Sequence, residues 1–432
     1  MIAAIAVLAL CAAAVPAGAE GIAVSSYVAA ALGSSPEVRS AEEAWKAADA
    51  DLKGQTAAML LPTLAFDYTQ YPYGHNPLDA YGYGRGRFAA RQGQAVTTAN
   101  WNLFNGFQDL EKTRAAAAAR RAAAHALKAA RQDRAFAAIA AFYGLDSKAE
   151  LLEVARQNLK DQKRQYDQSL DLYQHGMKSL ADLLKSETDW RSSQLRLIAA
   201  EADRRGALVE INVLVDRGPA EEAELAINLQ AGATELPRVS EDLARSLEQR
   251  PEVARARDNV EKTRVAAQQA LQGALPTVKV DATWTRTRYA AFPGAASAIA
   301  NPRESVGVAL SLPLGFNGFS QGWAVAAASA ERRRAEAARR ETERTVQSEV
   351  YGAFIGLEKV SRSYEVALKK EEIAAKALEL VGRQYRQGAA DAVGMNQAQN
   401  DYLNARVERA LALHDIFINR ARYRRAVGDP LW

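Results

Sequence analysis

The chain has 432 residues, of which 48% are hydrophobic and 25% charged, with 55 basic side chains against 51 acidic ones. Those fractions exclude wholesale disorder, a formal balance of only +4 makes no case for nucleic acid, and a single cysteine excludes a disulfide framework or a Cys-rich zinc site. Thirteen prolines and 27 glycines leave room for long uninterrupted helices.

Met1 to Ala19 carries no charge, Ile2 to Val15 is apolar, and Ala17-Gly18-Ala19 suits a small-x-small cleavage site before Glu20. The pattern predicts a secretory signal peptide over 1–19, with a buried N-terminal helix as the alternative. Cys11 follows Leu8-Ala9-Leu10, a weak match to a lipidation site, because Leu10 is large and the apolar run continues beyond it. After residue 20 no stretch approaches the ~20 apolar residues of a transmembrane helix.

The remainder is an internal duplication at an offset of 212 to 215 residues. Ser35-Pro36-Glu37-Val38 returns as Arg250-Pro251-Glu252-Val253, and Leu61-Pro62-Thr63 as Leu275-Pro276-Thr277. Phe104-Asn105-Gly106-Phe107 returns unchanged as Phe316-Asn317-Gly318-Phe319. Ala141-Phe142 with Gly144-Leu145 returns as Ala353-Phe354 with Gly356-Leu357, and Tyr173 with Gly176 as Tyr385 with Gly388. The period is too long for a solenoid of short repeats. The predicted division is a first repeat over 20–217, a linker or equatorial segment over 218–237, and a second repeat over 238–432.

Each repeat starts with a helical stretch, near 37–58 and 252–273. Two strands follow. Thr277 to Thr287 alternates, with Val278, Val280, Ala282 and Trp284 on one face and Lys279, Asp281, Thr283 and Thr285 on the other. Ser305 to Leu314 alternates likewise, and Leu64, Phe66 and Tyr68 do so in the first repeat, where 94–103 is less regular. Long loops, 72–92 and 290–303, join the strands of each pair. They are expected to face the exterior, since the long helices need the other side of the strands, and both are rich in turn-forming or small residues, as mobile loops are. Residues 105–173 and 317–385 then contain no proline, which predicts helices roughly 100 Å long. Leu145, Leu152, Leu159, Tyr166 and Tyr173 recur every seven residues, as do Leu357, Tyr364, Glu371, Leu378 and Tyr385. The repeat implies left-handed supercoiling. Gly176 and Gly388 mark turns, after which a second helix returns to about 215 or 427.

Four strands cannot close a barrel and leave exposed edges. Either they pair with strands of other subunits, or helices of the same chain cover them. Strands of about ten residues suit a tilted crossing of an outer membrane. Trp284, Trp101 and Tyr68 then belong either to interfacial aromatic girdles or to a core.

The duplicated unit, the Leu-Pro-Thr lead-in to a strand, the Phe-Asn-Gly-Phe exit into a long helix and the Tyr-x-x-Gly turn together resemble the TolC-like outer-membrane efflux proteins. The resemblance covers about 22–428. It implies a mainly α fold with a small membrane β part: a periplasmic α-helical barrel continuous with an outer-membrane β-barrel shared between subunits, four strands from each chain. It further implies a homotrimer that passively conducts cargo received from an inner-membrane transporter through a periplasmic adaptor, as part of a tripartite efflux pump or a type I secretion system. The alternative is a periplasmic coiled-coil scaffold or adaptor without a channel. Adaptor contact is expected at the hairpin tips, around His175, Gly176 and Met177 and around Gln387, Gly388 and Ala389. The resemblance maps the family's aperture tyrosine onto Tyr385 and its latch aspartate onto Asp182. The chain departs from the pattern at Ala390, where the family has a latch arginine, and at Gly394 and Gln397, where it has constricting aspartates. Weaker cation selectivity is the expectation, unless Asp391 turns into the lumen.

No catalytic constellation is evident, and no cofactor or metal is implied. His75, His125, His175 and His414 lie far apart and read as scattered, exposed side chains. Gly82-x-Gly84-x-Gly86 lacks the strand-to-helix context of a phosphate loop. Arg332, Arg333 and Arg334, with Arg339 and Arg340, are interleaved with Glu331, Glu336, Glu341 and Glu343, the pattern of a solvated helix face. The cargo, whether drug, metal ion or polypeptide, is not legible.

Overall fold

The computed structural model describes residues 23–71, 91–222, 236–272, 275–290, 303–312, 318–387 and 392–431. The expected signal peptide with Cys11, most of both strand-joining loops, much of the linker, and the turn with Gly388, Ala389, Ala390 and Asp391 lie outside them. The described residues form α1 (Val24–Ser34), α2 (Pro36–Leu60), β1 (Thr63–Tyr71), β2 (Arg91–Asn105), α3 (Gln108–Gln174) and α4 (Leu180–Leu214). The same plan returns as α5 (Val239–Gln249), α6 (Pro251–Gln272), β3 (Thr277–Ala290), β4 (Arg303–Ser311), α7 (Gly318–Arg386) and α8 (Ala392–Val427).

The proline at the head of α2 and α6 takes a position where a missing N–H costs nothing. Ser35 caps α2 by accepting from the Val38 N–H at 3.4 Å. The helices α1 and α5, each 11 residues, precede these prolines and are additions to the expected plan. They form because a short apolar edge finds a partner. Tyr27, Val28 and Ala31 of α1 are buried against α3 and α4, and Leu243 and Leu247 of α5 pack against α7 and α8.

The strands make one antiparallel sheet in the order β1-β2-β3-β4. Their register fixes the faces. Leu64 pairs with Ala99, Ala99 with Ala282, and Ala282 with Val306. Phe66, Trp101, Val280, Trp284, Val308 and Leu310 fall on that same face by the alternation of strands. Asp67, Thr98, Asn100, Lys279, Asp281, Thr283 and Ser305 occupy the other. The apolar face is open: Phe66, Val306 and Leu310 are 67%, 79% and 71% exposed. Tyr68, Trp101 and Trp284 are exposed as well, so none is a core aromatic of this chain. Among the described residues the strands pack substantially only on one another, and no helix of these covers the sheet. Among the described residues β1 and β4 carry free edges.

Between β2 and α3 the chain reverses through Gly106 (φ +66°) and Phe107 (φ +65°). A Cβ on Gly106 would lie 2.8 Å from Leu275 Cβ, so the position demands glycine on both counts. Phe104 and Phe107 meet edge to face at 5.1 Å, and Asn105 Oδ1 accepts from the Asp109 N–H at 3.3 Å. The first copy of Phe-Asn-Gly-Phe is thus a strand-to-helix corner. Residues 316 and 317 of the second copy lie outside the described residues.

With 67 and 69 residues, α3 and α7 are each roughly 100 Å long. The far half of α3 forms a hairpin with α4, and its near half packs on α2 and α6. The same arrangement pairs α7 with α8 and α6. Two apolar cores at mid-height hold this together, at positions related by the duplication. One contains Tyr27, Val28, Ala138, Phe142, Leu145 and Ile211. The other contains Val253, Val350, Ala353, Leu357 and Tyr423, with Phe354 against it. The buried row of α7 follows the seven-residue spacing through Val346, Ala353 and Ala367. Arg134 caps two helices at once, donating to the Ala31 carbonyl at 3.2 Å and the Leu214 carbonyl at 2.6 Å.

One sequence expectation fails here. His414 is buried, 2% exposed, and bonded to Asp146, because α3 of the first repeat packs directly on α8 of the second. The arginine run of α7 does sit among its glutamates, with Arg332–Glu336, Arg334–Glu331 and Arg339–Glu343 ion pairs.

Candidate functional site at the hairpin tips

The α3–α4 tip is built by local rules. His175 closes α3 and its Nδ1 lies 2.8 Å from the Asp171 carbonyl. Gly176 takes φ +73°, and the Met177 N–H returns to the Leu172 carbonyl at 2.9 Å, the reversal that a left-handed glycine permits. Ser179 opens α4. Its Oγ accepts from the Asp182 N–H at 3.1 Å and donates to Asp182 Oδ2 at 2.7 Å. Asp182 is therefore engaged in capping α4. Met177 is 68% exposed, and His175 and Gly176 are also exposed, so the tip presents itself to solvent. On the other hairpin Gln387 is exposed, one residue beyond the end of α7. Gly388, Ala389 and Asp391 lie outside the described residues.

Tyr385, on the last turn of α7, reaches across to the first hairpin. Its hydroxyl accepts from Lys178 Nζ at 2.8 Å, and the ammonium stands 5.6 Å from the centre of its ring. Within one chain the tyrosine thus meets Lys178, while Asp182 bonds to Ser179. Lys178 also donates to Ser169 Oγ at 2.9 Å. Ser169 and Ser186 share a hydrogen bond at 2.9 Å, and Ser186 donates to the Asp182 carbonyl. A continuous polar relay therefore joins Tyr385 to the first turn of α4. Lys178 has no carboxylate within ion-pair distance among the described residues. Sequence reasoning missed it. The available signal was a lysine two residues beyond the turn glycine, in the hairpin opposite the tyrosine.

Tyr385 also lines a cleft of about 390 Å³ between α3, α7 and α8. Its walls are rich in amides, among them Gln162, which donates to Gln399 at 3.3 Å, and Gln165; beside the cleft Gln165 donates to Asn396 at 2.7 Å, and Asn396 to Asp189 at 3.0 Å. The two hairpins therefore meet through apolar side chains at mid-height and through polar ones toward the tips. Gln397, at one expected constriction position, bonds to Asp401 of its own helix. Among the described residues no group of three His, Cys, Asp or Glu side chains could hold a metal ion, and no helix is long and apolar enough to cross a membrane.

Comparison with solved structures finds the same architecture in several channels. The chain superposes on CusC with a TM-score of 0.81 at 13% identity, covering 94% of this chain and 92% of that one. The CmeC outer membrane channel of Campylobacter jejuni gives 0.80 at 15% identity, covering 94% and 85%. VceC, an outer membrane protein of Vibrio cholerae, gives 0.77 at 17% identity, covering 95% and 97%. A search of curated protein sequences finds no significant match. The family model for outer membrane efflux proteins matches twice, over residues 28–215 and 243–429, which together make up most of the chain. Proteins of that family are channels. The chain belongs to the outer membrane efflux protein family: it is an outer-membrane channel with a helical periplasmic part, and serves as the exit duct of an efflux system.

Proposed function

We propose that this duct is a homotrimer whose β-barrel is completed by the four strands of each chain. It accepts cargo from an inner-membrane transporter through a periplasmic adaptor docked at the hairpin tips. The observation that carries this reading is the unfinished surface of the single chain. Its sheet has two free edges and an open apolar face, opposite a face bearing Asp67, Asn100, Lys279 and Asp281. A closed barrel in lipid turns the first face outward and the second toward water.

The helices support the same reading. On α4, Leu184 and Leu195 are 11 residues apart and exposed, as are Ile198 and Val209. On α7, Ile355, Val366, Ile373 and Leu380 follow at spacings of 11, 7 and 7, each at least half exposed. Those intervals return a side chain to one helix face, so each hairpin carries an apolar stripe that a single chain leaves uncovered. A neighbouring subunit on each side would bury both. The division into repeats over 20–217 and 238–432 around a linker at 218–237 suits two such hairpins in each chain.

The tips would form the periplasmic aperture. Tyr385, Asp182 and Asp391 are its proposed gate, with Lys178 joining Tyr385 as its partner within the chain. His175, Gly176, Met177, Gln387, Gly388 and Ala389 are the proposed adaptor contacts. Photo-crosslinking from Met177 in intact cells tests the docking. A covalent adduct with a periplasmic adaptor, formed at Met177 but not at mid-height Leu195, is the expected result. Adducts at Leu195 alone would place the partner elsewhere.

A further inference from the structure

We infer that His414 is held as an imidazolium between α3 and α8 and acts as a proton-dependent fastener between the two repeats. The side chain is 2% exposed. Its Nδ1 lies 2.7 Å from the Ala410 carbonyl oxygen, one turn earlier on α8, and its Nε2 lies 2.7 Å from Asp146 Oδ2 on α3. Both oxygens are acceptors without a proton of their own. A neutral imidazole has one N–H and can satisfy only one of them; the other contact would set a lone pair against an oxygen. The imidazolium donates to both.

The surroundings favour the charge. From α3, Asp146 and Glu150 face the ring, with Glu150 Oε2 at 4.0 Å from Nδ1. From α8, Arg409 reaches Glu150 at 3.2 Å, and it also pairs at 2.5 Å with Glu371, contributed by α7. Tyr143 of α3 stands beside Asp146; burial first, then the Asp146 charge, raise its phenol, while Arg420 of α8 opposes them. The third element packed on α8, the short α5, brings Asp242 to Tyr423, away from this group. His414 and Arg409 thus face Asp146, Glu150 and Glu371, with Arg420 nearby. Loss of the His414 proton removes the cation hydrogen-bonded to Asp146 and leaves the Arg409 pairs with Glu150 and Glu371 in place.

The direction of the pH dependence follows. Burial on its own would lower the His414 pKa. The Asp146 hydrogen bond, the Ala410 carbonyl and the charges of Asp146 and Glu150 outweigh it and hold the group above its ordinary value. A raised pKa contributes stability that is complete below about pH 6.5, the unfolded value, and is lost as pH rises through the folded one. Acid tightens the α3–α8 seam and alkali loosens it.

The place of the group gives this a consequence. On one side of it lies the mid-height core, ending in the Tyr143–Phe417 stack at 5.1 Å. On the other, toward the tips, lie the Arg409–Glu150 ion pair, the Gln162–Gln399 and Gln165–Asn396 amide contacts and the Lys178–Tyr385 bond. The amide contacts separate at little cost, since water replaces them. Releasing His414 therefore removes the buried charged link of this seam, so that the distal half of the α7–α8 hairpin parts more readily from α3 while the core stays closed.

Two measurements on the full-length protein in detergent test the inference, and neither uses conduction, so they stand or fall apart from the duct reading. Histidine ring nitrogens labelled with ¹⁵N and titrated from about pH 5 to 9 should show one ring protonated at both nitrogens at neutral pH, losing its proton above the usual histidine range. His414→Gln should delete that signal. Spin labels at exposed Lys160 and Asn400 should report a longer, broader distance distribution at about pH 8.5 than at about pH 6 in the parent background. Asp146→Asn, which keeps the histidine and its volume, should remove the pH dependence. A His414 ring that is singly protonated at neutral pH, or distances in the parent that do not change with pH, would overturn the inference.

Discussion

Replacing Lys178 by methionine keeps the aliphatic stem and removes the ammonium, and with it both contacts to Tyr385. A hydrogen bond involving a charged group contributes about 1.5–3 kcal/mol net. Lys178 is partly exposed, which places the bond at the low end. The ammonium at 5.6 Å from the ring centre adds roughly 0.5–1 kcal/mol. A sum near 2 kcal/mol for each chain is about a 30-fold shift toward separated tips. If three copies contribute independently, the closed state loses a factor on the order of 10⁴. Single-channel recording in planar bilayers reads this as a rise in open probability. Tyr385→Phe, which loses the hydrogen bond and keeps the ring, should give a smaller rise. Lys178→Met and Tyr385→Phe channels that gate like the parent, with Asp182→Ala alone opening them, would refute the reasoning and make the carboxylate the sole fastening.

Three further substitutions test the frame that carries the tips. Phe142→Ala empties a site that is fully buried at the centre of the first mid-height core and should cost about 3–5 kcal/mol; a lower temperature of loss of helical circular dichroism checks it. Gly106→Ala must adopt φ +66° with its Cβ 2.8 Å from Leu275 and should reduce the yield of folded protein. Gly144→Ala, mid-helix with open space around it, should be neutral or stabilising by up to about 1 kcal/mol; a common loss in both variants would mean that the Gly106 corner is not special.

Much of the architecture is legible in the sequence because it follows local periodicity. The absence of proline over 105–173 and the seven-residue rows announce α3, and Gly176 announces its turn. Strand limits are less legible. The less regular run expected at 94–103 extends to Arg91–Asn105, since antiparallel pairing carries the ladder through Gln92, Gly93 and Gln94, whose side chains do not alternate. The short helices α1 and α5 depend on long-range burial more than on their own pattern. The Lys178–Tyr385 and His414–Asp146 contacts join residues 207 and 268 positions apart. Nothing in the neighbourhood of a lone lysine or histidine reports such a partner; packing one repeat on the other creates it.

The central claim is that the sheet of one chain is finished by other copies, and the free edges allow it to be tested directly. β1 and β4 lie at opposite edges of the sheet, about 14 Å apart at ~4.8 Å per strand step. That exceeds the reach of a disulfide, whose Cα atoms stand at most about 7 Å apart. Cysteines along β1 at Ala65, Asp67 or Thr69, combined with cysteines along β4 at Ser305, Gly307 or Ala309, can therefore bond only between chains. With Cys11 replaced, oxidation of outer membranes should yield a ladder on denaturing gels that stops at three linked chains for the pairs in register. A chain that remains single for every pair, or a ladder that continues beyond three, would contradict the account.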